Sequence, residues 1–169
     1  MINIDELRNL SEPLKSYNFE IYIPNIPGGG NLSGQDARLY VNAAVLPGIS
    51  SEPIVVESGG HEVFYAGKAK YQHMWQVEMR EYENLNVITM LQNWHGLQWD
   101  RPTGAQSPSG DYKAESIYVA MLDSQKNPMK QFRMIGAWIA QIGDVQLAYA
   151  SNQQIAFPLT FAYDYWIYE

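Results

Sequence analysis

The 169-residue chain has no cysteine, which excludes disulfide staples, thiolate metal sites and thiol chemistry. Nowhere do eighteen apolar residues run together, and the start "MINIDELRNL" has no basic stretch followed by an apolar run. A chain that is neither exported by a standard signal nor inserted in a membrane is expected. Basic residues are scarce, eleven against eighteen acidic, for a net charge of −7 and a pI near 4.9. Gripping nucleic acid through its phosphates requires the opposite balance, so tight nucleic-acid binding is disfavoured, whereas contact without adhesion is not.

Catalytic and metal-binding patterns are missing too. His61, His73 and His95 are twelve and twenty-two residues apart, and no pair has metal-ligand spacing. In "GGHEVFYAGKAK" the pair Gly67-Lys68 precedes Ala69, and Glu62 stands where a phosphate loop has its first glycine. No G-x-S-x-G surrounds a serine. Glu78, Glu81 and Glu83 read as a charged strand end. Neither a cofactor nor a metal is expected, and an enzyme is the lesser hypothesis.

What the chain does have is aromatic residues, twelve Tyr, five Trp and five Phe, and period-two alternation. Tyr and Trp combine an apolar body with a polar handle, which suits strands and interfaces. From Ile155 the odd positions Phe157, Leu159, Phe161, Tyr163, Tyr165 and Ile167 predict one long strand of about 40 Å, at roughly 3.3 Å per residue. Further strands are predicted at "YNFEIYIP", at "ARLYVNAAVLPG" with Ala37, Leu39, Val41, Ala43 and Val45 on one face, at "YQHMWQVEMR" with Tyr71, His73, Trp75, Val77 and Met79 inward, at "YKAESIYVAMLD" and at "QFRMIGAWIAQIG". One helix is expected at "NLNVITMLQNWHGLQW", capped by Asn84 and ended by Gly96.

These elements make a mainly β protein of two packed antiparallel sheets, a sandwich or barrel with one flanking α-helix. Residues 1–16 read as an N-terminal arm and 17–169 as one β domain, with a long protruding loop at about 49–70. Val55, Val56, Val63, Phe64 and Tyr65 on that loop are apolar where exposure in a lone monomer is a liability, so they are candidate subunit contacts. If the odd residues of "YQHMWQVEMR" are buried, Gln72, Gln76 and Glu78 point the other way, as does Asn42 on the preceding strand. Alternation separates the two faces without saying which one is enclosed.

The segment "IAQIGDVQLAYASNQQIAFPLTFAYDYWIYE", residues 139–169, resembles the C-terminal end of tail tube proteins of contractile-tailed bacteriophages. The shared pieces are Ile142-Gly143-Asp144, Leu147-Ala148-Tyr149, Ser151-Asn152 and Phe157-Pro158-Leu159-Thr160-Phe161 followed by Tyr163, Tyr165 and Trp166. "FEIYIP" and Leu46-Pro47-Gly48 extend the likeness upstream. Ala137-Trp138 stands where Phe-Pro is frequent in that family, and Pro158 is expected to interrupt the final strand. The resemblance, shared more remotely with the type VI secretion tube protein, implies a structural virion protein rather than an enzyme. It implies hexameric rings stacked into a tube that meets a sheath, a baseplate and a tail terminator, and a virion tail assembled in the host cytoplasm. DNA would pass through without specific binding, along a lumen for which Asn42, Gln72, Gln76 and Glu78 are candidates. The alternatives are the tube of a phage-derived injection machine, such as a tailocin or a type VI-like system, and a monomeric ligand-binding β-barrel whose aromatics hold a small molecule.

Overall fold

The structure is a computed structural model that describes residues 4–10, 12–32 and 34–169. Its organising element is a 15-residue strand, β7 (Pro128–Ile142). On one edge its first two thirds pair with β6 (Ala114–Leu122), from Leu122↔Pro128 to Ala114↔Ala137. On the other edge lies the terminal segment, split into β8 (Ala156–Ala162) and β9 (Tyr165–Tyr168). Beyond them, β1 (Phe19–Tyr22) pairs with β6, β5 (Met74–Arg80) with β8, and β2 (Val41–Ala44) with β5, all antiparallel. The path is β1-β6-β7-β8-β5-β2, with β9 beside β7.

The expected single terminal strand is therefore two. They nevertheless continue one ladder, Ile135↔Tyr165 on one side of the break and Trp138↔Ala162 on the other. The cause is a kink shared with β7. Gly136 has φ +66, and a Cβ there would lie 2.1 Å from Asp164 Oδ2, so only glycine leaves room for the Asp164 side chain. Across that point both strands exchange inner and outer faces. In β7 the buried residues pass from Phe132 and Met134 to Ala137 and Ile139, and in the terminal segment from Phe157, Leu159, Phe161 and Tyr163 to Trp166. Tyr165 and Ile167, expected inside, are exposed. The kink turns one ladder around a corner, so two sheet halves close their apolar faces on one core that joins Ile21, Ile117 and Val119 to Val77, Phe157 and Leu159.

Pro158 does not break its strand. Its carbonyl accepts from Gly143 N at 2.7 Å, so its backbone polar groups point toward β7, which ends at Ile142 and needs no donor there. Gly143 is required because a Cβ on it would sit 2.3 Å from Pro158 Cγ.

The predicted strand at 37–48 is also corrected. Residues Gly34–Tyr40 form helix α2 and only Val41–Ala44 is strand. Ala37 and Val41, four apart, are both buried, while Leu39 and Val45 are exposed. That is helical spacing, and Ala, Arg and Leu are good helix formers.

Near the N-terminus, a short helix α1 (Ile4–Arg8) carries an Asp5–Arg8 pair at 3.6 Å. The expected helix is α3 (Asn86–Gly96), seated through Val87, Leu91 and Trp94 at i, i+4 and i+7. Its cap residue is Leu85, in the left-handed region at φ 51. The carboxylate of buried Glu81 serves one orphan donor of the first turn, accepting from Ile88 N at 2.6 Å, and also accepts from Tyr82 N at 2.9 Å in the preceding loop. Asn84 Oδ1 reaches only Asn86 N, at 3.5 Å. Glu81 is thus a capping group rather than part of a charged strand end. A short turn of helix, α4 (Ser109–Tyr112), precedes β6, and Trp94 Nε1 donates to the Tyr112 carbonyl.

Candidate assembly surfaces

The excursion after Gly48 is a two-stranded hairpin, β3 (Ile49–Ser58) and β4 (His61–Tyr71), which pairs with no other strand among the described residues. Gly59 and Gly60, at φ 59 and 81, supply the two left-handed residues that a tight hairpin turn demands. Cross-strand neighbours include Ile54↔Tyr65, Val55↔Phe64 and Val56↔Val63. Every residue of β3 is exposed, and Phe64 keeps 64% of its surface in water. An isolated two-stranded hairpin is marginal in water, and this one exposes its apolar side chains on both faces. The five residues singled out in the sequence lie together on it, with Ile54 as a sixth.

A second surface is the outer face of β2, β5 and β8. Val77 and Met79 are buried, so Gln76 and Glu78 point outward, opposite Thr160 and Pro158 of β8. Asn42, at a bulge of β2, donates to Glu78 Oε2 at 2.7 Å. A shallow hollow of about 490 Å³ over this face is lined by Ala43, Gln76, Glu78, Gln141, Pro158 and Thr160 among others, uncharged but for a single carboxylate. Gln72 is not on it. It sits with His73 in the two-residue link between β4 and β5, where His73 has φ 58.

Among the described residues the three histidines lie apart. His61 is at the hairpin tip, His73 in the link and His95 at the end of α3, and the described residues contain no group of three or more His, Asp or Glu able to hold a metal ion. Tyr163 is buried, which pushes its phenol above the usual tyrosine range, and its ring lies 6.1 Å from that of His73. Arg133 is raised chiefly by its hydrogen bond to Glu169, an exposed ion pair at 3.1 Å. No helix among the described residues is long and apolar enough to cross a membrane.

Proteins of similar sequence and fold are known. The tail tube protein gp19 of Enterobacteria phage T4 is 26% identical over 137 residues, spanning 79% of this chain and 82% of that protein, and the phage T6 protein matches to the same extent. Solved structures share the fold at lower identity. A chain of the sheath-tube complex of the PVC extracellular contractile injection system, in its extended state, has TM-score 0.65 at 12% identity over 100% of this chain and 99% of that one. One from the anti-feeding prophage baseplate has TM-score 0.66 at 14% identity, over 95% and 97%. The sequence profile of the phage tail tube protein family matches residues 14–169. The chain belongs to the phage tail tube protein family.

Proposed function

We propose that six copies of this chain close into a ring, that rings stack into the inner tube of a contractile phage tail, and that the genome leaves through the lumen. The carrying observation is the β3–β4 hairpin, whose outer apolar residues 54–65 are all exposed and so are suited to cover a neighbour. In this reading Val55, Val56, Val63, Phe64 and Tyr65 make ring-to-ring and subunit contacts, aided by the arm of residues 1–16, while residues 17–169 form the tube wall. The role is structural rather than enzymatic. The outer partners are a sheath, a baseplate and a tail terminator, and the tail is assembled in the host cytoplasm.

The face bearing Asn42, Gln76 and Glu78 lines the channel. Its hollow presents no Lys or Arg to pair with DNA phosphates, and a ring of Glu78 carboxylates repels them. Likeness of fold to injection-system proteins supports a second reading, the tube of a phage-derived injection machine. Tails purified with DNA-filled heads separate the two. Deleting residues 52–66 tests the assembly role: the subunit should still melt cooperatively but fail to stack, and tubes of normal length from the deletion would refute it.

A further inference from the structure

The hairpin needs an acceptor, and the molecule carries a surface that fits it. Among the described residues β1 and β2, the two ends of the main strand path, are each paired with a strand on one side only. They bound a trough made of two adjoining hollows of about 610 and 300 Å³ that share Ser16, Phe19 and Ala44. The smaller is largely apolar, with Leu14, Leu46, Val119 and Met121 in its wall. The larger is basic, presenting Arg38, Arg80 and Lys126 against Glu20, and Lys15 adds a further cation at the smaller end. Arg38 is held by Glu20 at 3.3 Å. Lys15, Arg80 and Lys126 form no ion pair among the described residues, and Arg80 Nε is buried with no hydrogen-bond partner.

The hairpin's outer half, "IVVESGGHEVFY" (54–65), is complementary in both respects. It has six large apolar side chains, and its charged residues are Glu57 and Glu62, with no Lys or Arg. Those two carboxylates are direct cross-strand partners, an arrangement that destabilises a hairpin standing alone and that a cationic partner relieves. Strands of ten and eleven residues extend about 30 Å at roughly 3.3 Å per residue, enough to reach an adjacent subunit. This outer half is exposed throughout, so it does not occupy its own trough.

We propose that the trough between β1 and β2 receives the β3–β4 hairpin tip of a second copy of this chain, its apolar residues on Leu14, Leu46, Val119 and Met121 and its carboxylates toward Lys15, Arg80 and Lys126. The inference rests on the assembly reading above. It makes the contact heterologous, tip to trough, and such a contact propagates from copy to copy instead of ending at a pair.

The absence of native cysteine gives a direct test. A chain carrying Leu46→Cys in the trough and Val56→Cys in the hairpin, treated with a short bismaleimide, should give a covalent ladder extending past the dimer. Either cysteine alone should not pass the dimer. Independently, Lys15→Glu/Lys126→Glu and Glu57→Lys/Glu62→Lys should each lower tube yield at low salt by about tenfold, and combining all four should restore it, with thermal melts confirming folded subunits throughout. If deletion of residues 52–66 stops stacking but the ladder is absent and the combined swap does not recover tubes, the trough is not the acceptor and the assembly reading survives. If the deletion leaves normal tubes, the assembly reading itself fails.

Discussion

At residue scale the decisive positions are those where a side chain is forbidden or hidden. Gly136 is the corner of the molecule. An alanine there faces the cost of φ +66 and a Cβ 2.1 Å from Asp164 Oδ2, and it disturbs the pairing of Asp164 with Lys113 at 2.9 Å. Gly136→Ala should destabilise by about 2 kcal/mol or more. Adding Asp164→Ala should recover part of that, since it removes the clash and loses only an exposed ion pair; urea unfolding of the two variants measures both terms. Equal losses in the single and double variants would show that the carboxylate does not fill the glycine's space. Glu81→Ala, which leaves Ile88 N and Tyr82 N without their acceptor, should cost about 1–2 kcal/mol in the same assay, and an unchanged midpoint would contradict the cap. Neither role was legible beforehand. Glu81 is one of several acids at a strand end, and a glycine in an alternating strand does not announce which residue, 28 positions later, will occupy its space.

Among the elements, the strands with one buried face were legible because their alternation is itself the record of that burial. β5 shows it with Trp75, Val77 and Met79 inside. The same rule overran where the backbone bends. Reading on through Tyr163 into Tyr165 and Ile167 assumed a fixed phase, which the Gly136–Asp164 corner reverses. It also took Ala37 and Val41 for strand, because spacing by four satisfies a period of two as well as a helical turn. The hairpin was legible as an excursion, from its glycines and its position outside the core pattern. The terminal segment remains the keystone despite its break, since β8 lies between β7 and β5. Truncation after Tyr149 removes Phe157 and Phe161, each fully or almost fully buried and each worth roughly 3–5 kcal/mol, against a whole-domain stability of about 5–15 kcal/mol. The truncated chain should show no cooperative melt by circular dichroism; a sharp transition would mean that the core closes without its terminal strands.

For the whole molecule, charge and face chemistry carry the functional reading. Alternation along β5 predicted two faces, and the structure adds that Asn42 and Glu78 are bonded neighbours on the open one. Gln72 was misplaced because the strand does not extend back through the link at His73, whose positive φ lies outside the extended range. Asn42→Lys/Glu78→Lys should leave tubes intact and turn the lining basic, slowing DNA passage at low salt and less so at high salt, where phosphate contacts weaken. Ejection at the wild-type rate at low salt would show that this face is not the lumen.

The central claim, that this chain is a tube subunit whose hairpin and open sheet face are completed by other copies, is most directly tested by electron cryomicroscopy of the purified protein. The expected images show sixfold rings or stacked tubes, with the hairpin buried between subunits and the β2-β5-β8 face toward the axis. A single population of 19.2 kDa particles across a wide concentration range would contradict it.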